Sequence, residues 1–599
     1  MVASDQPICS EIGNALIEQH QGNVVDAAVA TALCIGVLNP SSSGIGGGAF
    51  ILIHMHDASG TLDNLPDYED MREDPQEWQN IVIDCRETAP AQSAPDMYTT
   101  LADDASTVGG LAIAIPAELK GLELAHARYG QLAWADVVQP SIDLATEGCT
   151  VGPYLAKSIQ ERAGRRWEFD AFRKQFTHED GQQRFQEGDI IKNIALGQTL
   201  TEVAKHGTDV LYKGGLAKSL VQDIQAAGGI ITEDDLANYK PTLRTPLLAR
   251  DVAGHAIMGV PPPSSGGATV MGAARFLAGF DQHVGPPSQH RLVAAMRHAF
   301  AIRMSLSDPA YNTEVVKDAV NDLVYSDYMD KLRETTPTET MPLSKYGGTK
   351  WSQLRDADGD DISDAKEGDR LLRKRQRRRL ISPLGHLEDR GTSHISVMDA
   401  KGNAVAITTT VNTYFGSGVL SESTGILLNN QMDDFSTPGR MNFFGLQPSE
   451  ANYIRPGKKP LSSMAPTMVF SQGDGGELGK LIMTVGGSGG PLIISATLQA
   501  LWNHVVAKMT VYEAVVSPRL HDQLIYHESA STLFEKTQLG KIQIEVPEFI
   551  LDDLERRGHR LAPMHYAGCV QAIARYTDGR KHLLTGVSDI RKHGKPAGH

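Results

Sequence analysis

The sequence predicts a mixed α/β fold, and three stretches carry that expectation. From Thr392 to Val411, Ser393, Ile395 and Val397 alternate with His394, Ser396 and Met398 at the period of a strand. Asp399-Ala400-Lys401-Gly402-Asn403 then supplies Gly and Asn where a turn needs positive φ, and the β-branched run Ala404–Val411 reads as the partner strand. Second, the apolar run Val24–Leu38 follows Asn23, a good N-cap, and stops at Asn39-Pro40, which marks a buried helix. Third, Leu481–Val485 reads as a strand, Gly486-Gly487-Ser488-Gly489-Gly490 as a turn, and Pro491 to about Val506 as a long helix.

In chain order, residues 1–60 read as two helices, the Gly-rich turn Ser41–Ala49 and a strand over Phe50–His54. Gly44-Ile45-Gly46-Gly47-Gly48-Ala49 matches the dinucleotide fingerprint in form, but it follows Asn39-Pro40 and opens a strand, the reverse of the context that fingerprint needs. The glycines are instead expected to let backbone approach backbone. Ile81–Cys85 reads as a strand ending at Arg86, which is placed to hold a carboxylate or to pair with Glu87. Pro116–Tyr129 reads as a helix with Pro116 in its first turn. Helical patterns alternate with short loops over 130–250, Pro261–Gly267 is a rigid turn before another helix, and Leu292–Leu306 is a helix ending near Asp308-Pro309.

Between about 340 and 388 apolar periodicity fades, and a charged, weakly packed connector is expected. Asp356–Asp361 with Glu367 imitates a calcium loop, but its glycine is fourth and not sixth. Arg373–Arg379 is a basic block, read as a solvated loop balanced by the preceding aspartates. After 390 the chain is dense in strands and turns; Leu427–Ser436 gathers amides and carboxylates after an expected strand, and Pro460–Pro466 is a loop.

The 599 residues carry a net charge of −16, which disfavours nucleic acid and anionic membranes as partners. The longest apolar run, Val24–Leu38, carries Asp26 and is too short to span a bilayer. No basic region followed by an apolar stretch marks a leader at the N-terminus, and there is no Asn-x-Ser/Thr sequon. The five cysteines, Cys9, Cys34, Cys85, Cys149 and Cys569, match no zinc spacing and read as buried thiols, with one disulfide as the alternative.

Two residues compete as nucleophile. Gly486-Gly487-Ser488-Gly489-Gly490 satisfies the G-x-S-x-G elbow of an esterase, with Asp522 or Asp552 and His559 or His565 downstream in the order that fold uses. The same loop also suits backbone donors for an oxyanion without a catalytic serine. The alternative is Thr392. A threonine hydroxyl needs a base, and a cut between Gly391 and Thr392 creates one, an α-amine titrating at about 7.7–8.0. Gly489 and Gly490 can then donate to an oxyanion, Arg86 can hold a carboxylate, and Asp434 with Asn412 and Gln431 can hold an ammonium. That is a pocket for a zwitterionic amino-acid head beside an acyl-transfer centre.

Over nearly its whole length the chain resembles the γ-glutamyltranspeptidases, members of the N-terminal-nucleophile hydrolases. The resemblance runs through Gly22–Ala28, Asn39–Gly48, Pro261–Gly267 and Gly586–Asp589, and its most specific part is Thr392–Val397 together with Leu428–Ser436. It implies a four-layer αββα sandwich, with one intertwined domain made of a large subunit (1–391) and a small one (392–599) after self-cleavage. It implies a nucleophile at Thr392, oriented by Thr410, with Gly489 and Gly490 as oxyanion donors. On the donor substrate, Arg86, Ser462 and Ser463 match the residues on the α-carboxylate, and Asn412, Gln431 and Asp434 those on the α-amino side. Gln431 is the bacterial choice, where mammalian members carry Glu; Asn412–Tyr414 and Phe443–Leu446 look eukaryotic, without a bacterial-type lid.

The resemblance further implies glutathione and other γ-glutamyl compounds as donors, water or acceptor amino acids and dipeptides as the second substrate, and no cofactor or metal. Cys9 and Cys34 match a pair that is disulfide-bonded in mammalian members. Location outside the cell, in a vacuole or at the cell surface is expected, against the absence of a visible leader. A related acylase on the same fold, the Ser488 esterase and an unprocessed binding protein are the other readings.

Overall fold

Strands buried on both faces need apolar residues at successive positions, and this is how Ala49–Ile53 of the strand Gly48–His56 is written. Phe50 and Leu52 point to one core, Ile51 and Ile53 to another. In the computed structural model that arrangement recurs across two six-stranded antiparallel sheets. The structure describes all residues except 57–77, 180, 281–285, 353–390, 473–477, 526–530, 579–580 and 599.

Numbering only the strands of these sheets, the first contains β1 (Val2–Ala3), β2 (Gly48–His56), β3 (Trp78–Cys85) and β4 (Thr242–Arg244). β5 (Leu247–Val252) and β6 (His255–Gly259) open the second. β7 (Thr392–Met398) and β8 (Ala404–Thr410) return to the first, while β9 (Thr467–Gln472), β10 (Leu478–Ser488), β11 (Cys569–Asp578) and β12 (Lys581–Ser588) complete the second. The spatial orders are β1-β7-β8-β2-β3-β4 and β12-β11-β10-β9-β6-β5. β7 and β10 pack against each other across the two sheets. Between the sheets lie Phe50, Leu52, Met258, Met398, Met468 and Phe470.

Helices cover both outer faces. α1 (Pro7–Glu18), α2 (Val24–Leu38) and α3 (Glu118–Tyr129) pack with the first sheet. α4 (Gly266–Ala278), α5 (Pro286–Arg303) and α6 (Leu492–Val505) share the core of the second. The layers are therefore helix, sheet, sheet, helix, as the resemblance implied.

Local expectations hold with shifted ends. Asn23 caps α2 through a capping box with Asp26. α3 starts at Glu118 and not Pro116, because the N–H groups of Ala117 and Glu118 both donate to the Gly47 carbonyl. α5 ends at Arg303, short of Leu306. No strand precedes the Leu427–Ser436 motif; Leu427 makes only an isolated bridge with Leu420. The connector begins later than expected: residues 340–352 pack, with Tyr346 and Trp351 buried and the Arg297 guanidinium donating to Thr340 Oγ1 at 2.8 Å. The rest of it, with the calcium-like loop and the basic block, lies outside the described residues.

Cys9 and Cys34 form a disulfide joining α1 to α2, while Cys85, Cys149 and Cys569 are buried thiols. Among the described residues no helix is long and apolar enough to cross a membrane.

The Gly-rich turn before β2 is a backbone contact and not a phosphate cradle. A Cβ on Gly47 would sit 1.9 Å from the Thr410 carbonyl oxygen, and one on Gly46 2.1 Å from that of Leu427. Gly47→Ala is therefore expected to cost at least about 3 kcal/mol and to abolish soluble expression. Gly152→Ala, where the new methyl meets nothing within 4 Å, should shift the melting midpoint by no more than a degree or two, an effect within about 0.5 kcal/mol.

Candidate active site

The hairpin register sets the centre of the site. Thr392 begins β7 directly opposite Thr410 at the end of β8, and their hydroxyl oxygens lie 2.9 Å apart. The Thr410 hydroxyl also donates to the Gly391 carbonyl oxygen and accepts from the Asn412 N–H at 2.8 Å. The Gly391 carbonyl takes a second hydrogen bond from the Val411 N–H at 3.2 Å. The peptide before Thr392 is thus polarised by two donors while the Thr392 hydroxyl sits beside it.

Above this centre opens a pocket of about 670 Å³, its mouth included. Of the ten residues assigned by sequence to catalysis and substrate binding, all but Gly489 line it. Gly489 is adjacent: Gly489 and Gly490 close the turn from β10 into α6, with φ of 126° and 61°. These backbone angles suit glycine, and a Cβ on Gly490 would press 2.5 Å from the Phe444 ring. The pair stands where a helix N-terminus presents N–H groups.

Opposite charges meet in the pocket wall. The buried Arg86 guanidinium pairs with the Asp434 carboxylate, and Gln431 Nε2 donates to the same carboxylate at 2.6 Å. Gln431 Oε1 is buried with no hydrogen-bond partner among the described residues, which leaves an acceptor beside Asp434. Arg86 is fixed from behind by the Pro460 carbonyl at 3.2 Å. Asn412, held at φ 79°, donates through its side chain to the Asn430 carbonyl at 2.9 Å. Ser462 and Ser463 lie on the loop 460–466, and Ser463 Oγ accepts from Arg303 Nη2 at 2.8 Å.

Arg303, at the end of α5, was not legible in the sequence as a site residue. It is fully buried, and burial lowers its pKa to about 10, so it stays charged at neutral pH. Because Ser463 Oγ accepts from this cation, its own proton is free to point into the pocket. Asn452 was missed too; it donates to the Asp434 backbone carbonyl at 2.7 Å. Arg303 lies 160 residues from Ser463 and Asn452 lies 18 from Asp434, and neither sits in a motif.

Ser488 is not set up as a nucleophile. Its hydroxyl is buried and accepts from Lys592 Nζ at 3.3 Å. Three of the four partners of the esterase reading are occupied elsewhere, Asp522 with Arg297 at 2.9 Å, His559 with His290 at 2.8 Å, and His565 with the Lys536 carbonyl at 2.9 Å, and the fourth, Asp552, is exposed on the helix Glu548–Arg556.

A threonine that a chain cut would turn into an N-terminus, at the end of a central strand in an αββα sandwich, defines the class: an N-terminal-nucleophile hydrolase. The family model described as Gamma-glutamyltranspeptidase matches residues 9–599. The chain belongs to the γ-glutamyltranspeptidase family. It is 36% identical over 606 residues to "Glutathione hydrolase 2" of Arabidopsis thaliana, covering 100% of this chain and 93% of that protein. It is 32% identical over 604 residues to the "Glutathione hydrolase proenzyme" of Escherichia coli K12, covering 99% and 90%. A cephalosporin acylase from Bacillus halodurans shares the fold, with TM-score 0.76 at 22% identity over 100% of this chain and 96% of that one.

Beneath the site, burial raises the Glu118 pKa from 4.5 to about 8 and the Glu87 pKa to about 7, against the opposing pull of Arg86 on Glu87. Folded Glu118 therefore keeps a proton that the unfolded chain releases above pH 4.5, and its contribution to stability falls as pH rises from there to about 8. Glu118→Gln, measured by melting midpoint against pH, should flatten that decline by up to about 1.4 kcal/mol per pH unit. A residual slope from Glu87 remains.

Proposed function

We propose that Thr392 is the nucleophile of this self-processing γ-glutamyltransferase and glutathione hydrolase. The observation that carries the assignment is the pair of facing charges, Arg86 and Asp434, above the Thr392–Thr410 contact. A zwitterionic amino-acid head can part that ion pair and still leave every charge partnered. Its carboxylate takes Arg86, with the Ser462 and Ser463 hydroxyls, and its ammonium takes Asp434, with Gln431 and Asn412. An uncharged acyl group offers neither exchange, which favours a γ-glutamyl donor over a simple acyl amide.

Maturation comes first. Thr392 Oγ1 attacks the Gly391 carbonyl carbon, and the developing oxyanion is held by the Thr410 hydroxyl and the Val411 N–H. The Gly391–Thr392 amide becomes an ester, which water hydrolyses. Residues 1–391 and 392–599 then form the large and small subunits, and Thr392 carries a free α-amine.

In turnover the α-amine takes the hydroxyl proton as Thr392 Oγ1 attacks the γ-amide carbonyl of glutathione or another γ-glutamyl compound. The Gly489 and Gly490 N–H groups receive the oxyanion. The leaving amine departs with the transferred proton, and a γ-glutamyl ester remains on Thr392. Water, or the amine of an acceptor amino acid or dipeptide, attacks that ester and restores the enzyme. The Cys9–Cys34 disulfide supports an oxidising location, secreted, vacuolar or at the cell surface.

A denaturing gel of the purified protein should show two fragments, the smaller beginning at Thr392, and the preparation should release the anilide from a γ-glutamyl anilide. Thr392→Ala should remain one chain without activity; an uncut chain with full activity would overturn the assignment. Asp434→Asn is expected to lower kcat/KM for the anilide by about 10- to 100-fold, the worth of a charge-assisted contact of about 1.5–3 kcal/mol.

A further inference from the structure

The mechanism above leaves one buried cation beside the nucleophile unused. Lys592 lies in the 3₁₀ turn Ile590–Lys592, capped by the Asp589 side chain. The turn is held rigidly. Arg591 pairs with Glu535 at 2.7 Å and Asp589 at 2.9 Å, and Asp589 pairs with Arg519 at 2.9 Å, all of them buried. From this anchor the Lys592 side chain reaches inward, fully buried, and its ammonium meets three acceptors: Asp5 Oδ2 at 3.0 Å, Ser488 Oγ at 3.3 Å and the backbone carbonyl oxygen of Thr392 itself. The Tyr154 ring lies 5.0 Å away. Asp5 is in turn fixed by Gln571 Nε2 at 2.7 Å.

Three donors on three acceptors satisfy an ammonium completely. The choice of acceptors is informative. One belongs to the nucleophile, and one belongs to the residue immediately before the oxyanion pair Gly489–Gly490. The Asp5 carboxylate supplies the countercharge that makes burial tolerable. After the cut, Thr392 loses the peptide bond that held its nitrogen side, and its position depends on β7 pairing, the Thr410 hydroxyl and whatever holds its carbonyl.

We propose that Lys592, braced by Asp5, is a positioning residue: it clamps the carbonyl of the freed N-terminal threonine and ties it to the strand end that carries the oxyanion donors. This rests on the assignment of Thr392 as nucleophile. It makes Asp5 and Lys592, 587 positions apart in sequence, part of the catalytic frame without either touching substrate. Misplacement of a nucleophile by about 1 Å costs on the order of 10²-fold in rate, so loss of the clamp should appear in kcat and not in donor affinity.

The test compares the full-length parent with Lys592→Met, which keeps length and apolar bulk but donates nothing. Each is scored for the cut by gel and for kcat and KM with a γ-glutamyl anilide and with glutathione. A parent that is neither cut nor active would sink the nucleophile assignment itself. With an active parent, the clamp predicts that kcat falls at least about tenfold with both donors while KM stays within about twofold. Parental kcat in Lys592→Met overturns it. So does a higher KM for glutathione alone with kcat retained, because Lys592 would then be reading the leaving group's carboxylate. If Lys592→Met does not accumulate as folded protein, Asp5→Asn decides: the ammonium stays and its brace goes, and kcat should fall at least about threefold at unchanged donor KM. Parental kcat in Asp5→Asn overturns the clamp.

Discussion

The antiparallel pairing of Thr392 with Thr410 is the constraint on which the site depends. It fixes two hydroxyls 2.9 Å apart and sets the Gly391 carbonyl against the Thr410 hydroxyl and the Val411 N–H. The register is in turn fixed from outside the hairpin. β8 pairs residue for residue with β2, and Thr410 faces Gly48 at the point where Gly47 crosses the Thr410 backbone. A slip of one residue would exchange the faces of strands that are buried on both sides, so the inter-sheet core and the outer core both oppose it. The chemistry is therefore positioned by ordinary packing, well away from any substrate.

Around that centre, the site gathers buried ionisable groups, Arg86, Arg303 and Glu87, with the part-buried Asp434 at the pocket and Lys592 and Asp5 behind. Each cation has a stated partner or a stated task, and the acids without strong pairing answer burial by holding protons. Charge-neutral exchange is the principle that links this to substrate choice. A ligand that brings one anion and one cation replaces an ion pair without leaving a bare charge. A ligand that brings only one must leave the other group exposed to a low dielectric.

How far the sequence could be read depended on the range of the interactions. Features written in neighbouring residues were legible: the alternation and turn of 392–411, the Asn23 cap, and the turn from β10 into α6. Features made by residues more than a hundred positions apart were not. Arg303 meets Ser463 and Lys592 meets Asp5 only after folding, and nothing near any of these residues signals the contact. The Cys9–Cys34 disulfide was reached only through family resemblance, since five unspaced cysteines leave the pairing open. The sequence pattern puts the start of the connector at about 340 because charge hides the few apolar anchors there, Tyr346 and Trp351, that bind 340–352 to the body. Ser488 has the glycine-rich setting of a nucleophile elbow, yet those glycines serve the loop's backbone.

The sheet topology also bears on how the protein survives its own cutting. Within the first sheet, β7 and β8 follow the proposed cleavage point, whereas β1 and β2 precede it, and they interleave as β1-β7-β8-β2. The second sheet mixes β5 and β6 with β9 to β12 in the same way. A break at Gly391–Thr392 therefore leaves two polypeptides that share both sheets, and neither owns a complete core. Before the break these strands find one another within a single chain, at a high effective concentration; afterwards, any full unfolding makes their reunion a second-order encounter. The mature protein's persistence is then governed by how slowly it opens, so cleavage turns a reversible folding problem into a one-way door.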